Sequence, residues 1–257
     1  MASLDLNADL GEGIGNDVAL LDIVSSASIA CGGHAGDEAT MRRVLREAKV
    51  RGVAVGAHPG FADRENFGRK RLLLPPEELD SQVRGQLELL LRLADEEGVP
   101  VRYVKLHGAL ANMAAEEPAV AMVAFAACKG LQEDLAILAI DNSAQVEVAE
   151  MLGFPVIPEA YADRAYQPNG LLVPRSEPGA VLHDAGVIAE RAVRLAEHGE
   201  IVAADGTVIR TEARSLCVHG DTAEAVEIAR AVREGLERAG VVVGAGAPGP
   251  RGTTGSP

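Results

Sequence analysis

A chain of 257 residues with a formal charge of −14, 47% hydrophobic and only 3% aromatic residues and no Trp can bury a sizeable aliphatic core but has no concentration of Lys and Arg. That balance argues against nucleic acid and anionic membrane surfaces as partners, because binding to phosphate arrays draws on clustered cations. The opening residues, MASLDLNADL, lack a basic and apolar leader pattern, and no run of about 18 apolar residues occurs, which predicts a soluble, cytoplasmic protein with no membrane span. Cys31, Cys128 and Cys217 are odd in number, far apart and without a C-x-x-C pair, so reduced thiols are expected rather than a disulfide or zinc framework.

The stretch Leu4 to Glu12, LDLNADLGE, alternates along a strand. Leu4, Leu6 and Ala8 share one face and Asp5, Asn7 and Asp9 the other. A Gly-rich turn follows, whose spacing is not a nucleotide fingerprint, and then a short helix from Asp17 to Val24. The strand Ser28–Ala30 runs into CGGHAGD, and Met41, Val44, Leu45 and Ala48 give the next helix an apolar face that Gly52 closes. A third strand delivers His58 and a long loop with Asp63, Arg64 and Arg69 before Pro75-Pro76 opens another helix, longer than a connection requires and suited to a lid or substrate contact. The fourth strand carries Lys105 and His107 and is followed by helix to Lys129; the fifth, AILAI, ends at Asp141. The sixth, PVIPEAY, opens into a second long loop with Asp163, Arg164, Tyr166 and Arg175 before a helix from Asp184 to Glu197. IVAADGTVIRT reads as a hairpin with a type I′ turn at Asp205-Gly206, outside the main sheet. The seventh strand, SLCV, ends in His219-Gly220-Asp221, a helix runs from Thr222 to Arg238, and Val241–Val243 is a candidate eighth strand.

Strand and helix therefore alternate about seven times without a linker-like break. The expected fold is α/β: one domain over residues 1–243, an irregular (β/α) barrel of about seven parallel strands, with a doubly wound open sheet as the alternative. Residues 244–257, rich in Gly and Pro, are expected to form a disordered tail.

Four of the six histidines, His34, His58, His107 and His219, fall at the C-terminal ends of predicted parallel strands, where a barrel gathers them at one mouth. Two chemistries fit them. His34, His58 and His107, with a carboxylate such as Asp9, could hold a divalent ion, zinc or manganese, with a position left for water, although no compact metal motif is present. Without a metal, Asp9, His107, His219 and the adjoining Asp221 supply acid and base groups, and Lys105 could stabilise an oxyanion. Asn7, Glu12 and Asp37 join the arginines of the two long loops, Arg64, Arg69, Arg164 and Arg175, as candidate substrate-binding residues. The arginines read either as carboxylate clamps or as surface ion pairs, and Asp37 also as a helix cap. Cys31 and Cys217 adjoin the histidine motifs and read either as nucleophiles or as small buried residues.

NADLGE (7–12), ACGGHAGD (30–37), GAHPGFADRENFGR (56–69), KLHGAL (105–110), ADRAY (162–166), LVPRS (172–176) and CVHGD (217–221), in this order, resemble the LamB/YcsF family. The resemblance runs from Leu4 to Val243 and implies a barrel of glycoside hydrolase/deacetylase type. It also implies the A component of the bacterial ATP-dependent 5-oxoprolinase, which with subunits B and C turns 5-oxoproline, ATP and water into glutamate, ADP and phosphate. Gly33, Leu106 and Ala111 stand where that family commonly has Phe, Pro and Tyr. No G-x-x-x-x-G-K-[ST] loop or kinase motif set occurs, so an ATP site is expected largely on the partner subunits.

Overall fold

The structure, a computed structural model, describes residues 3–220 and 224–246. Its strands are β1 (Ser3–Leu10), β2 (Ser26–Ala30), β3 (Ala54–His58), β4 (Val101–Val104), β5 (Ala136–Ile140), β6 (Val156–Tyr161), β7 (Glu200–Val202), β8 (Val208–Arg210), β9 (Ser215–Val218) and β10 (Val242–Val243). Its helices are α1 (Asp17–Leu21), α2 (Glu38–Arg51), α3 (Pro76–Glu97), α4 (Gly108–Glu116), α5 (Pro118–Ala126), α6 (Ala144–Met151), α7 (Ala185–His198) and α8 (Ala225–Arg238).

Strands β1 to β6 and β9 pair in parallel in that order, and β9 also pairs with β1, so seven staves close on themselves. Closure leaves the barrel without a free sheet edge and rules out the open doubly wound sheet. β10 pairs in parallel with the N-terminal end of β1 (Ser3 with Val242), and the barrel closes through β9–β1 without it, so it is not an eighth stave. Gly244 continues this contact by donating to the Leu4 carbonyl, so residues 244–246 lie against the barrel, contrary to the expected free tail; 247–257 are outside the described residues. The β7–β8 hairpin is antiparallel and stands apart from the barrel, as expected. Its turn is not type I′: Gly206 takes a positive φ of 91° and Asp205 does not, and Ala203 bonds Thr207, a three-residue loop with a bulge.

Strand parity explains where the core sits. Leu4, Leu6, Ala8 and Leu10 face outward beneath the helices and join the main apolar core with Val44, Leu45, Leu87 and Leu90. Asp5, Asn7 and Asp9 point into the barrel. The polar face is thus the interior one, and the hydrophobic core is the layer between strands and helices. Tyr103 fills the lower interior opposite Gly56, where an added Cβ would lie only 2.1 Å from its ring. α4 and α5 replace the single helix expected after β4, because Pro118 lacks an N–H and starts a new helix.

Candidate active site

The barrel axis carries a stack of polar side chains. At the bottom, buried Asp5 accepts from the hydroxyls of Ser25, Ser26 and Ser215, and its burial raises its pKa above the ordinary carboxylate value. One layer up, the Asn7 amide donates to Glu159 Oε1 and Ser215 Oγ, both at 2.8 Å. Above that, the Lys105 ammonium is surrounded by Asn7 Oδ1 (3.1 Å), Asp9 Oδ1 (2.9 Å), Glu159 Oε1 (2.9 Å) and Cys217 Sγ (3.0 Å). Burial alone would lower the Lys105 pKa and raise that of Asp9. The attraction of Asp9 to His58 and Lys105, and of Lys105 to Asp9, outweighs burial and keeps the pair charged. Burial keeps Glu159 raised despite Lys105.

Two walls rise from this floor. On one, His58 Nδ1 donates to the Lys105 carbonyl and His107 Nε2 donates to the Phe67 carbonyl, both at 2.9 Å. Their other nitrogens, His58 Nε2 and His107 Nδ1, therefore face each other at 3.0 Å. His34 stacks on His107 with ring centroids 3.5 Å apart and places Nε2 3.1 Å from Glu12 Oε1, while its buried Nδ1 has no partner among the described residues. Burial, then His58, drives the His34 pKa down to about 2, and burial with the neighbouring imidazoles also pushes His107 well below its ordinary value. Phe67, whose carbonyl takes this bond, holds a left-handed φ of 54°, a strained conformation for a bulky residue. On the other wall, His219 Nδ1 lies 2.8 and 3.0 Å from the two oxygens of Asp163, and its ring stacks on Tyr161.

These walls enclose a cavity of about 310 Å³, lined by Asp9, Glu12, His58, Lys105, His107 and His219 and rimmed by Arg69, Arg71, Arg164 and Arg175. A larger open groove of about 770 Å³ between α7 and α8 holds none of these catalytic candidates.

The candidates from sequence sort cleanly. Asp9, Glu12, His58, Lys105, His107 and His219 converge, with Arg69, Arg164 and Arg175 at the rim. Arg164 spends two nitrogens on the carbonyls of Ala180 and Val173. Asn7 is buried under Lys105, supporting the floor rather than lining the cavity. Asp37 stays outside: it is exposed and caps α2 by accepting from Thr40 N at 2.7 Å. Arg64 turns away too, holding the Gly32 and Gly36 carbonyls of the His34 loop. Asp221 lies outside the described residues. Cys31 is buried with its thiol pushed up to about 12, and burial also raises Cys217 well above its ordinary value, which suits neither as a nucleophile. Sequence reasoning missed Glu159 and the Asp163 contact. The alternation Ile157, Glu159, Tyr161 put the first on the inner face, and the second sat in a quoted motif without a partner.

Glu12, His34, His58 and His107 bring ligand atoms within 4.8 Å of one another, a cluster compatible with a divalent metal. The residues fit such an ion on two grounds. Two imidazoles donate their outer N–H to backbone carbonyls, the arrangement that aims the remaining lone pairs at a metal, and those lone pairs face each other with a carboxylate beside them.

A closed parallel barrel with a histidine- and carboxylate-lined mouth defines the class of protein, a (β/α) barrel that carries its candidate site at the mouth. Two solved deacetylase-type structures share the fold at low identity: a family 4 carbohydrate esterase from Streptomyces lividans (TM-score 0.50, 10% identity) and a T48 deacetylase (TM-score 0.51, 14% identity). Within that class the chain belongs to the LamB/YcsF family, whose profile matches residues 4–248. It is 47% identical over 248 residues to the 5-oxoprolinase A component of Kocuria rhizophila, covering 95% of this chain and 98% of that one. It is 46% identical to the protein of the same name from Azorhizobium caulinodans, covering 96% and 100%. The lactam utilization protein of Thermus thermophilus superposes with a TM-score of 0.88 at 40% identity, over 95% of this chain and 99% of that one.

Proposed function

We propose that this chain does the work of the A component of 5-oxoprolinase: it opens the lactam ring of 5-oxoproline to glutamate, in a complex with subunits B and C that hydrolyses ATP. The observation that carries this reading is the convergence of Asp9, His107 and His219 on one cavity with an arginine rim. The relatives' name supplies the substrate, and the cavity has the groups that substrate needs.

The carboxylate of 5-oxoproline lies toward Arg69, Arg164 and Arg175, whose positive field orients the ring with its carbonyl toward the floor. Lys105 helps keep Asp9 ionised in a buried site, so the floor presents a fixed negative charge beside His58. His219 lines one wall of the cavity, placed to exchange a proton with an attacking water and the departing ring nitrogen, and His107 stands on the opposite wall within the His34, His58 and Glu12 cluster that faces the carbonyl. The sequence holds no ATP-binding loop, so subunits B and C activate the carbonyl, for instance by phosphorylating its oxygen, and this barrel opens the activated ring. Held by Glu12, His34, His58 and His107, a divalent ion would polarise a carbonyl or acidify a water.

The test is glutamate release from 5-oxoproline and ATP by the chain mixed with subunits B and C, comparing wild type with Asp9→Ala and His107→Ala. Loss of more than about a hundredfold in either variant, with the complex still assembled, is expected for groups acting in the reaction. Normal turnover by both variants would make the barrel a lactam carrier without catalysis. The His/Glu cluster favours a second reading, a metal-dependent amide hydrolase acting alone. Its mark would be activity without partners or ATP that a chelator removes and stoichiometric zinc or manganese restores.

A further inference from the structure

We infer that Asp163 is a positioning residue that fixes His219 in the tautomer with Nε2 unprotonated, which makes His219, rather than a member of the opposite histidine wall, the base that takes the proton of the attacking water. This rests on the proposed lactam opening.

Three features of the geometry lead there. First, both Asp163 oxygens lie within 3.0 Å of His219 Nδ1, and Asp163 Oδ2 also accepts the His219 backbone N–H at 3.3 Å. A carboxylate can only accept in such a contact, so the ring proton sits on Nδ1 and the Nε2 lone pair is left for the cavity that His219 lines. Second, the dyad is rigid. Asp163 is 2% exposed, its backbone carbonyl accepts from Leu182 N at 2.8 Å, and the adjacent Arg164 is tied to two carbonyls, so the backbone that carries the buried carboxylate is held in place. Third, the opposite wall is already committed. The Nε2–H of His107 is spent on Phe67, and its Nδ1 faces His58 rather than open space. His34 turns its Nε2 to Glu12. Tyr161 stacks on His219 from one side, Asp9 and Lys105 form the floor below, and His219 brings a ring nitrogen within 4.8 Å of Asp9, so a water held over Asp9 lies within reach of His219.

In the step this implies, the water oxygen bonds to the carbonyl carbon as one of its protons passes to His219 Nε2. The Asp163 carboxylate stabilises the imidazolium. As the C–N bond breaks, Nε2 returns that proton to the ring nitrogen, so the base is regenerated; with the carbonyl oxygen phosphorylated, the attacking oxygen gives up its second proton to the freed amine and becomes the carbonyl of an acyl phosphate, which a second water splits into the glutamate carboxylate and phosphate.

The experiment has two independent readouts. In the full chain labelled with ¹⁵N-histidine, the side-chain nitrogen shifts of His219, assigned by loss of its signals in His219→Gln, are expected to show a neutral ring protonated at Nδ1. In Asp163→Asn the Nε2–H form should become populated. In the complex with subunits B and C, Asp163→Asn should lower kcat for glutamate release by about 10³–10⁴, as loss of a carboxylate orienter does in a histidine dyad, with KM within about threefold. A wild-type ring protonated at Nε2, or an Asp163→Asn enzyme with unchanged kcat, would overturn the assignment. If the wild-type complex releases no glutamate, the lactam reading fails, while the nitrogen shifts still decide the tautomer.

Discussion

Lys105 shows how one residue holds the site's electrostatics together. It is 2% exposed, and its ammonium lies among Asp9, Glu159, Asn7 and Cys217. Removing one partner of a buried charge group leaves the others desolvated and uncompensated, at a cost of about 3–5 kcal/mol. Lys105→Met should therefore lower the urea-unfolding free energy by about that amount. Adding Glu159→Gln, which removes one of the stranded carboxylates, should recover part of the loss. Equal stability of Lys105→Met and wild type would mean that Asp9 and Glu159 share a proton without help from the lysine. The sequence could show that Lys105 and His107 share a strand face, because alternation is a local property. It could not show that Glu159, far along the chain on β6, meets the same nitrogen, because only barrel closure creates that contact. The same limit applies to the arginines: a loop arginine reads as a clamp until the structure shows which carbonyls it has already found, as for Arg64 on Gly32 and Gly36.

At the scale of elements, the connections after β2 and β3 interlock, and the departures from the family pattern become physical there. Gly33 leaves no room for a side chain: an added Cβ would lie 2.2 Å from Gln86 Oε1. Gln86 reaches across from α3 to take the Gly60 N–H at 3.1 Å and to donate to the Gly60 carbonyl at 2.7 Å, so it braces the backbone beneath His34 and His107. Gly33→Phe alone should thus destabilise the chain by about 1–3 kcal/mol through overpacking. Gly33→Phe combined with Gln86→Ala should be less destabilised than the sum of the two single changes by at least about 1 kcal/mol, measured in a double-mutant cycle of unfolding free energies. Strict additivity would mean that the two side chains do not compete for one space. Helix positions, the Asp37 cap and the seven staves were legible because caps and periodicity are written locally. The type of the β7–β8 turn was not, because the Asp-Gly pair serves a type I turn with a following bulge as readily as a type I′ turn, and strand register decides between them.

For the molecule as a whole, closure puts charged and ionisable groups at the axis and the oily layer outside it, and that inversion governs how stability responds to acid. His34 stays neutral in the folded chain down to about pH 2, whereas in the unfolded chain it takes up a proton near its ordinary 6.5. Between those values the unfolded state binds one more proton than the folded state, so this contribution is full above 6.5 and is lost as the pH falls below it. At about 1.4 kcal/mol per pH unit, going from about pH 6.5 to about pH 5 removes about 2 kcal/mol through His34. His107, also pushed down, acts in the same direction. Asp5 and Glu159 act oppositely: their pKa values are raised by burial, so the folded chain retains protons that the unfolded chain releases, and their contribution weakens as pH rises. The net curve mixes these terms, but a variant separates one of them. In metal-free protein, the loss of unfolding free energy between about pH 6.5 and about pH 5 should be smaller in His34→Gln than in wild type by about 2 kcal/mol, since glutamine takes up no proton in either state. Equal losses in the two proteins would mean that His34 already carries a proton in the folded barrel, and that Glu12, 3.1 Å from its Nε2, outweighs burial there.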